Sequence, residues 1–536
     1  MGKGKRSRKK SGKAREESSR QAPAARPGLA ERLGVGHWEL IAVAAVVAAG
    51  LAVRLAFLGR PISGDEAATV TEFAGHSWYE TLTGYQSPNN HILHTILARM
   101  MGLFGGWDAA VIRVPAFIAG VLTLPAVWWV FRLFAPASAA VAATAFCAFS
   151  PSMVYFSTAA RGYSIQVLLV VVALGLMVHL LGEEGAGGRR RLVLAVLLAV
   201  VVALGLYTIP TTAFAAVGLW LWAFCWLVIS WRREFLARLG WLAGAGAGAV
   251  LLALLLYGPV IYRNGISAIS ANPFTQPLPL EQLVRSIRYP LINFWEYVGY
   301  GLGPLAAWWL LGPLMVVGMV WPVRGRFSVP PVLPFLLVGA AVLTLIQRGI
   351  APGRTWMYFL PFLGLALVVP LTVLGDWVAG RLKAFAARGL PAPGTGLVLA
   401  VAFGVLGVSN AGKVHETESG GQTPQGRPAA ETLLAHVQEG DLILADSPIN
   451  GTLRYWLFME GKEAHLMRAP WDPPDRFRPA EGGALWVVLA GNSRRLARWD
   501  QALEVLSEKG LTVAEAEQTA THNGLEVWRT AVRPEG

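Results

Sequence analysis

The sequence predicts a multi-span α-helical membrane protein that ends in a small soluble α/β domain, and three observations predict it. The 536 residues are 54% hydrophobic and 15% charged, with a mean hydropathy of +0.47. That is too apolar and too poor in charge for an ordinary soluble protein. The net charge of +13 is unevenly placed: eleven Lys and Arg fall in the first 32 residues, and much of the rest lies in short loops between apolar runs. Such a distribution follows the positive-inside rule, so membrane topology accounts for it and no nucleic-acid partner is called for. The third observation is the change of pattern near Ala411, where apolar runs give way to a mixed sequence with its own strands and helices.

In chain order, residues 1–37 read as a disordered basic tail on the cytoplasmic side. The apolar run that follows lacks a small-residue cleavage site, so it is expected to stay as the first span. A bilayer core of about 30 Å needs about 20 apolar residues as helix. On that basis eleven spans are expected, near 38–58, 109–134, 136–155, 160–182, 192–207, 209–231, 239–262, 297–321, 331–347, 352–374 and 395–411. With the N-terminus inside, Arg189-Arg190-Arg191, Arg232/Arg233/Arg238, Arg324/Arg326 and Arg381/Lys383/Arg388 all fall on the cytoplasmic face. This threading depends on Tyr207-Thr208-Ile209-Pro210 separating two spans. Cys147 and Cys225 both lie inside apolar runs and offer neither a disulfide framework nor a thiolate metal site.

The transmembrane domain, 38–411, carries two longer outer loops, 59–108 and 263–296. In the first, Ala67–Leu82 and Ile92–Phe104 mix apolar and polar positions at helical spacing. In the second, a Pro-rich start gives way to a helical pattern over Leu280–Ile292. Residues 412–536 read as a soluble extracytoplasmic α/β domain. Gly440–Asp446, Ala484–Ala490 and Leu525–Arg529 are the expected strands, and Glu431–Gln438 and Ala497–Lys509 the expected helices. No glycine-rich phosphate loop follows either of the first two strands, so a structural cap is the plain reading of this domain.

Chemistry concentrates in the first outer loop. Gly64-Asp65-Glu66 places two adjacent carboxylates just past the first span, where water reaches them. Adjacent side chains point different ways, so one of the two aims at a given reacting atom, and the residues alone leave the pair tied. Arg161 and Arg354 stand at the outer ends of spans, where anchoring at the interface is the common role of an arginine. A guanidinium there is also suited to gripping a phosphate through two parallel hydrogen bonds. His91 and His94, three apart, share a helix face, and His91 reads as a binder of substrate or lipid head group. With His76, Asp65 and Glu66 they form no fixed ligand spacing, so no metal and no other cofactor is assigned. Arg113, at the start of the second span, reads as an interfacial anchor.

Taken together, the order of these pieces resembles the GT-C superfamily of integral-membrane glycosyltransferases, near the protein O-mannosyltransferases and aminoarabinose transferases (glycosyltransferase family 39-like). The resemblance rests on Asp65-Glu66 after the first span, Asn90-His91, Arg113-Val114-Pro115, Ser150-Pro151 leading to Ala160-Arg161-Gly162-Tyr163, and Arg354, Tyr358 and Leu360-Pro361. It covers about residues 38–375. It implies a plasma-membrane enzyme that transfers a sugar from a polyprenyl-phosphate donor to a protein, lipid or glycan acceptor at the outer face. Asp65 would be the general base and Glu66 its neighbour in the catalytic pair, with Arg161, Tyr163 and Arg354 holding the phosphate or its sugar. Two positions depart from the pattern: Thr208, where a His is half expected, and Gly162, where relatives often carry a larger residue. The rival class is a polytopic lipid or glycan transporter or flippase. That class favours repeat symmetry and ionisable residues at mid-membrane, neither of which the sequence displays.

Overall fold

The computed structural model describes residues 36–534 apart from 86–88, 183–186, 232–233, 271–276, 300–305, 321–330, 386–393, 418–425, 462–466, 471, 478, 481–482 and 494. Nearly all of the basic tail lies outside the described residues, as do Ser87-Pro88, Arg232, Arg233, Arg324, Arg326 and Arg388.

The first span, α1 (His37–Leu58), leads into a loop that carries α2 (Gly64–Ala68), a π-helical turn (Thr69–Ala74), α3 (Trp78–Thr83) and α4 (Ile92–Gly105). The chain then runs up and down through α5 (Ala109–Phe131), the bent pair α6 (Ala137–Phe149) and α7 (Pro151–Ser157), α8 (Tyr163–Gly182), α9 (Gly188–Thr208), α10 (Thr212–Ser230) and α11 (Phe235–Asn264). Short helices α12 (Ser267–Ser270), α13 (Leu280–Ser286) and α14 (Arg288–Gly299) precede α15 (Ala306–Val320) and α16 (Leu333–Gln347). A 3-10 turn (Gly353–Phe359) continues as α17 (Leu360–Phe385), and α18 (Gly394–Thr417) closes the bundle. The helical pattern expected over Leu280–Ile292 is therefore split between two helices, α13 and α14.

Helices occupy every place expected for a span. Among the described residues seven helices are long and apolar enough to cross a membrane, or eight if the α6–α7 pair is one bent span. Leu333–Gln347 and Gly394–Asn410 are shorter apolar helices, so the expected count of eleven spans is not confirmed. The separation at Tyr207–Pro210 is real: α9 ends at Thr208 because Ile209, ahead of a proline, is extended at φ −144° and ψ 120°. On α11 the apolar stripe Leu242, Ala245, Ala249, Ala253 faces the bundle, while Leu251, Leu254 and Leu255 face outward, as lipid contact requires. α10 and α16 cross closely because glycines meet there: a Cβ on Gly339 would lie 2.4 Å from the Gly218 nitrogen.

The α6–α7 bend of 60° has an identifiable cause. Pro151 has no N–H to offer the Cys147 carbonyl, and the bend removes the helical partner of the Ala148 carbonyl. Arg54, fully buried in α1, takes over both: Nη2 donates to Cys147 O at 3.1 Å and Nη1 to Ala148 O at 2.8 Å. In a lipid-embedded bundle water does not satisfy these groups, so the arginine replaces the missing backbone donors. At the opposite end of the bundle Arg132 pairs with Glu39, and Arg238 with Glu234. That end carries the basic loops.

The C-terminal domain is a five-stranded sheet flanked by helices α19 (Gly426–His436), α20 (Ile449–Met459) and α21 (Trp499–Glu508). Its strands are β1 (Leu442–Ala445), β2 (Met467–Arg468), β3 (Leu485–Ala490), β4 (Leu511–His522) and β5 (Leu525–Pro534), in the order β2-β1-β3-β5-β4. β1 pairs in parallel with β2 and β3, whereas β5 is antiparallel to β3 and β4. The fully buried β1 and β3 are the two apolar runs expected from the sequence. β4 was not expected: its AEAEQTATH stretch is largely exposed and its strand character comes from pairing with β5.

Replacing Arg54 by Leu leaves the Cys147 and Ala148 carbonyls without partners at about 1–3 kcal/mol each. Thermal unfolding of the detergent-solubilised protein should show a lowered midpoint, with Arg54→Lys intermediate.

Candidate active site

The first outer loop is organised by one carboxylate. Glu66 caps α2 from within: its Oε2 accepts from the Ser63 backbone N–H and from Ser63 Oγ, both at 3.0 Å, in a capping box. Arg113 grips the same carboxylate with two parallel bonds, Nε to Oε1 at 2.7 Å and Nη2 to Oε2 at 3.0 Å. The Ala160 N–H adds a fifth donor at 2.8 Å. Arg113 also donates to the carbonyls of Leu58, Arg60 and Pro61. Both side chains are fully buried. Burial alone would raise Glu66, but Arg113 and Arg60 beside it hold its carboxyl well below the usual range. Arg113 is thus not an interfacial anchor, as the sequence implied, but the clamp that shapes the loop. Its neighbour Arg60 donates to Thr158 O and lies over the Tyr155 ring at 4.2 Å.

Asp65 faces the other way. Its side chain is 25% exposed, it is paired with Arg354 at 3.3 Å, and it lines a polar cavity of about 220 Å³. Thr71, Glu72 and Asn89 complete the loop side of this cavity. Burial raises Glu72, Arg454 opposes the rise, and Asp65 adds to it. The opposite wall was missed at the sequence level: Ser447, Asn450, Gly451 and Arg454 come from the start of α20 and the turn before it. The C-terminal domain is therefore more than a cap, since α20 packs directly on α2.

Beside Asp65 a cluster of donors converges. The Arg161 guanidinium is buried; it donates to Asn89 O at 2.9 Å, to Asn89 Oδ1 at 2.5 Å and to the Asp65 carbonyl at 3.4 Å. Its Nη2 lies 3.3 Å from His91 Nε2. His91 Nδ1 accepts from the Gly162 N–H at 2.8 Å, which fixes the neutral tautomer with its proton on Nε2. His91 stays neutral because burial, then the charges of Arg161 and Arg354, push it well below its ordinary value. Tyr163 meets the His91 ring edge-on at 4.8 Å, and burial keeps it out of the cavity. Gly162 and Thr208, the two departures from the family pattern, touch: a Cβ on Gly162 would lie 2.6 Å from Thr208 Cγ2 and 3.0 Å from His91 Cβ. The small residue at one position is required by the other.

His94 is buried with Nε2 unpartnered, and burial, then Arg161, lowers it to about 3. Among the described residues no group of three or more His, Cys, Asp and Glu side chains lies together as metal ligands would. His76 bonds to Thr71 O and lies apart from the others in function.

The helical bundle, the clamped outer loop and the small sheet domain define a multi-pass membrane protein whose overall fold is shared with solved membrane proteins. The solved structures it resembles include ArnT from Cupriavidus metallidurans in the apo state, with a TM-score of 0.62 at 14% identity over 92% of this chain and 97% of that one. The same ArnT bound to undecaprenyl phosphate gives 0.61 at 15% identity, covering 92% and 98%. A looser likeness, TM-score 0.45 at 14% identity over 78% of this chain and 63% of the other, is to the oligosaccharyltransferase AglB from Archaeoglobus fulgidus. No protein-family model and no curated protein matches the sequence.

Two predictions follow from the electrostatics. Arg113→Met strands a buried carboxylate, so it should cost about 3–5 kcal/mol in thermal or denaturant unfolding. His94, lowered from 6.5 to about 3, contributes stability that is complete above pH 6.5 and declines as pH falls. Unfolding scans between pH 7 and 5 should show a loss approaching about 1.4 kcal/mol per unit per buried histidine, reduced in His94→Gln.

Proposed function

We propose that the protein is a glycosyltransferase that moves a sugar from a polyprenyl-phosphate donor to an acceptor hydroxyl, with Asp65 as general base. The observation that carries this reading is the position of Asp65: partly exposed, facing a polar cavity, and 3.3 Å from an arginine that belongs to a cluster of cationic and N–H donors. The bound undecaprenyl phosphate of the structurally similar ArnT supports the donor class.

In this reading Asp65 takes the proton of the acceptor hydroxyl as its oxygen attacks the anomeric carbon. The bond from that carbon to the phosphate oxygen breaks in the same displacement, with inversion. The departing lipid phosphate gains negative charge, and Arg354, Arg161 and the His91 Nε2–H are the donors that stabilise it. Tyr163 holds the His91 ring in place. Glu66 is a positioning residue, since its carboxylate is enclosed by five donors and is not among the residues that line the cavity. The site end then faces outward from the plasma membrane with the C-terminal domain, and the basic end with the N-terminus lies in the cytoplasm.

Asp65→Asn should reduce transfer from a lipid-linked donor in membranes by about 10²–10⁴-fold while the protein remains folded and inserted. Undiminished turnover at normal expression overturns the base assignment. Arg354→Met should weaken the donor interaction and lower transfer as well, with Arg354→Lys only partly restoring it, because an ammonium lacks the paired donors.

A further inference from the structure

The cavity over Asp65 has two walls from different domains, and their chemistry narrows what enters it. At about 220 Å³ it holds on the order of seven waters at about 30 Å³ each, the room of a single sugar ring. Its lining comes from helices and turns. Among the described residues no strand edge lines it, so an extended peptide finds no backbone ladder to join there.

Two ion pairs border the cavity. Asp65 faces Arg354 at 3.3 Å, and Glu72 of the loop faces Arg454 of α20 at 3.9 Å. The second separation is too long for a direct hydrogen bond and leaves room for a hydroxyl to bridge the two. Arg454 Nε is buried without a hydrogen-bond partner. Carboxylates that accept and a guanidinium and an amide that donate, alternating around a small volume, match vicinal hydroxyls better than a charged head group. Ser447 and Asn450 add further polar groups on the same wall.

The second wall is fixed in place. Gly451 lies against Gly64 so closely that a Cβ would sit 3.0 Å from the Gly64 Cα. Tyr455 Oη donates to Trp107 O at 2.7 Å, and Phe458 meets the Trp107 ring at 6.2 Å. α20 is thereby held where Arg454 faces Glu72.

We propose that this cavity is the acceptor subsite, that it takes one neutral, hydroxyl-rich sugar residue of a glycan, and that Glu72 and Arg454, one from each domain, read its hydroxyls. The proposal rests on the glycosyltransferase reading above, and its test separates the two.

Full-length protein in nanodiscs is probed with undecaprenyl phosphate and, separately, with a panel of neutral and anionic oligosaccharides and a Ser/Thr-rich peptide library. Wild type should retain neutral oligosaccharides. Arg454→Met and Glu72→Gln should each weaken that binding by about tenfold or more, the loss of a hydrogen bond to a charged group, with undecaprenyl phosphate binding unchanged. Arg454→Lys should recover part of it, which separates recognition from misfolding. Neutral-glycan binding that is absent in wild type, unchanged in both variants, or replaced by anionic glycans or peptides overturns the proposal. Retention of the glycan without any undecaprenyl phosphate binding sinks the donor reading and keeps the glycan subsite.

Discussion

The buried Glu66–Arg113 pair is the constraint on which the site depends. Removing two charges from water is costly, and the pair persists because every oxygen and most of the guanidinium donors are used: five donors enclose the carboxylate, and three loop carbonyls receive Arg113. Successive residues on a helix point about 100° apart. Fixing Glu66 inward therefore directs its neighbour Asp65 out of the core and into the cavity. One side chain shapes the loop so that the adjacent one faces the cavity.

Arginine recurs in this fold as a substitute for backbone donors where helices break. Arg54 satisfies the carbonyls at the α6–α7 bend, Arg60 the Thr158 carbonyl just past α7, and Arg161 the Asn89 carbonyl ahead of α4. A bundle that opens its helices near a membrane surface leaves such groups without water, and a planar fork with several donors closes two of them at once. The same rigidity holds Arg161 close to His91 beside Asp65.

Much of the architecture was legible because its cause is local. Apolar length marks the spans, Pro210 marks a break, and the buried runs around Leu442 and Leu485 mark the central strands, whereas the bend at Pro151 falls inside the single span expected over 136–155. The adjacent acids after α1 were legible as a site, but their division of labour was not, because it is decided by Arg113 from 47 positions away. The sequence also gave Arg113 the bland role of an anchor, since an arginine at a helix end looks the same whether it faces lipid head groups or a buried acid. β4 escaped notice because its residues are polar and its strand exists by pairing with β5. Arg454 had no signal at all: it sits in an amphipathic helix of a domain that reads as a cap.

By itself the sequence determined a polytopic helical protein, and it singled out Asp65 and His91 in the first outer loop and Arg161 and Arg354 at the ends of spans as candidate site residues. Hydropathy and covalent geometry act over a few residues, and their marks are written in order along the chain. Only the tertiary structure decided that Glu66 turns inward while Asp65 faces a cavity, that Gly162 is small because Thr208 and His91 crowd it, and that the C-terminal domain forms half of the cavity wall. Each of those depends on side chains brought together from distant segments, where burial and charge pairing, rather than local preference, set the outcome.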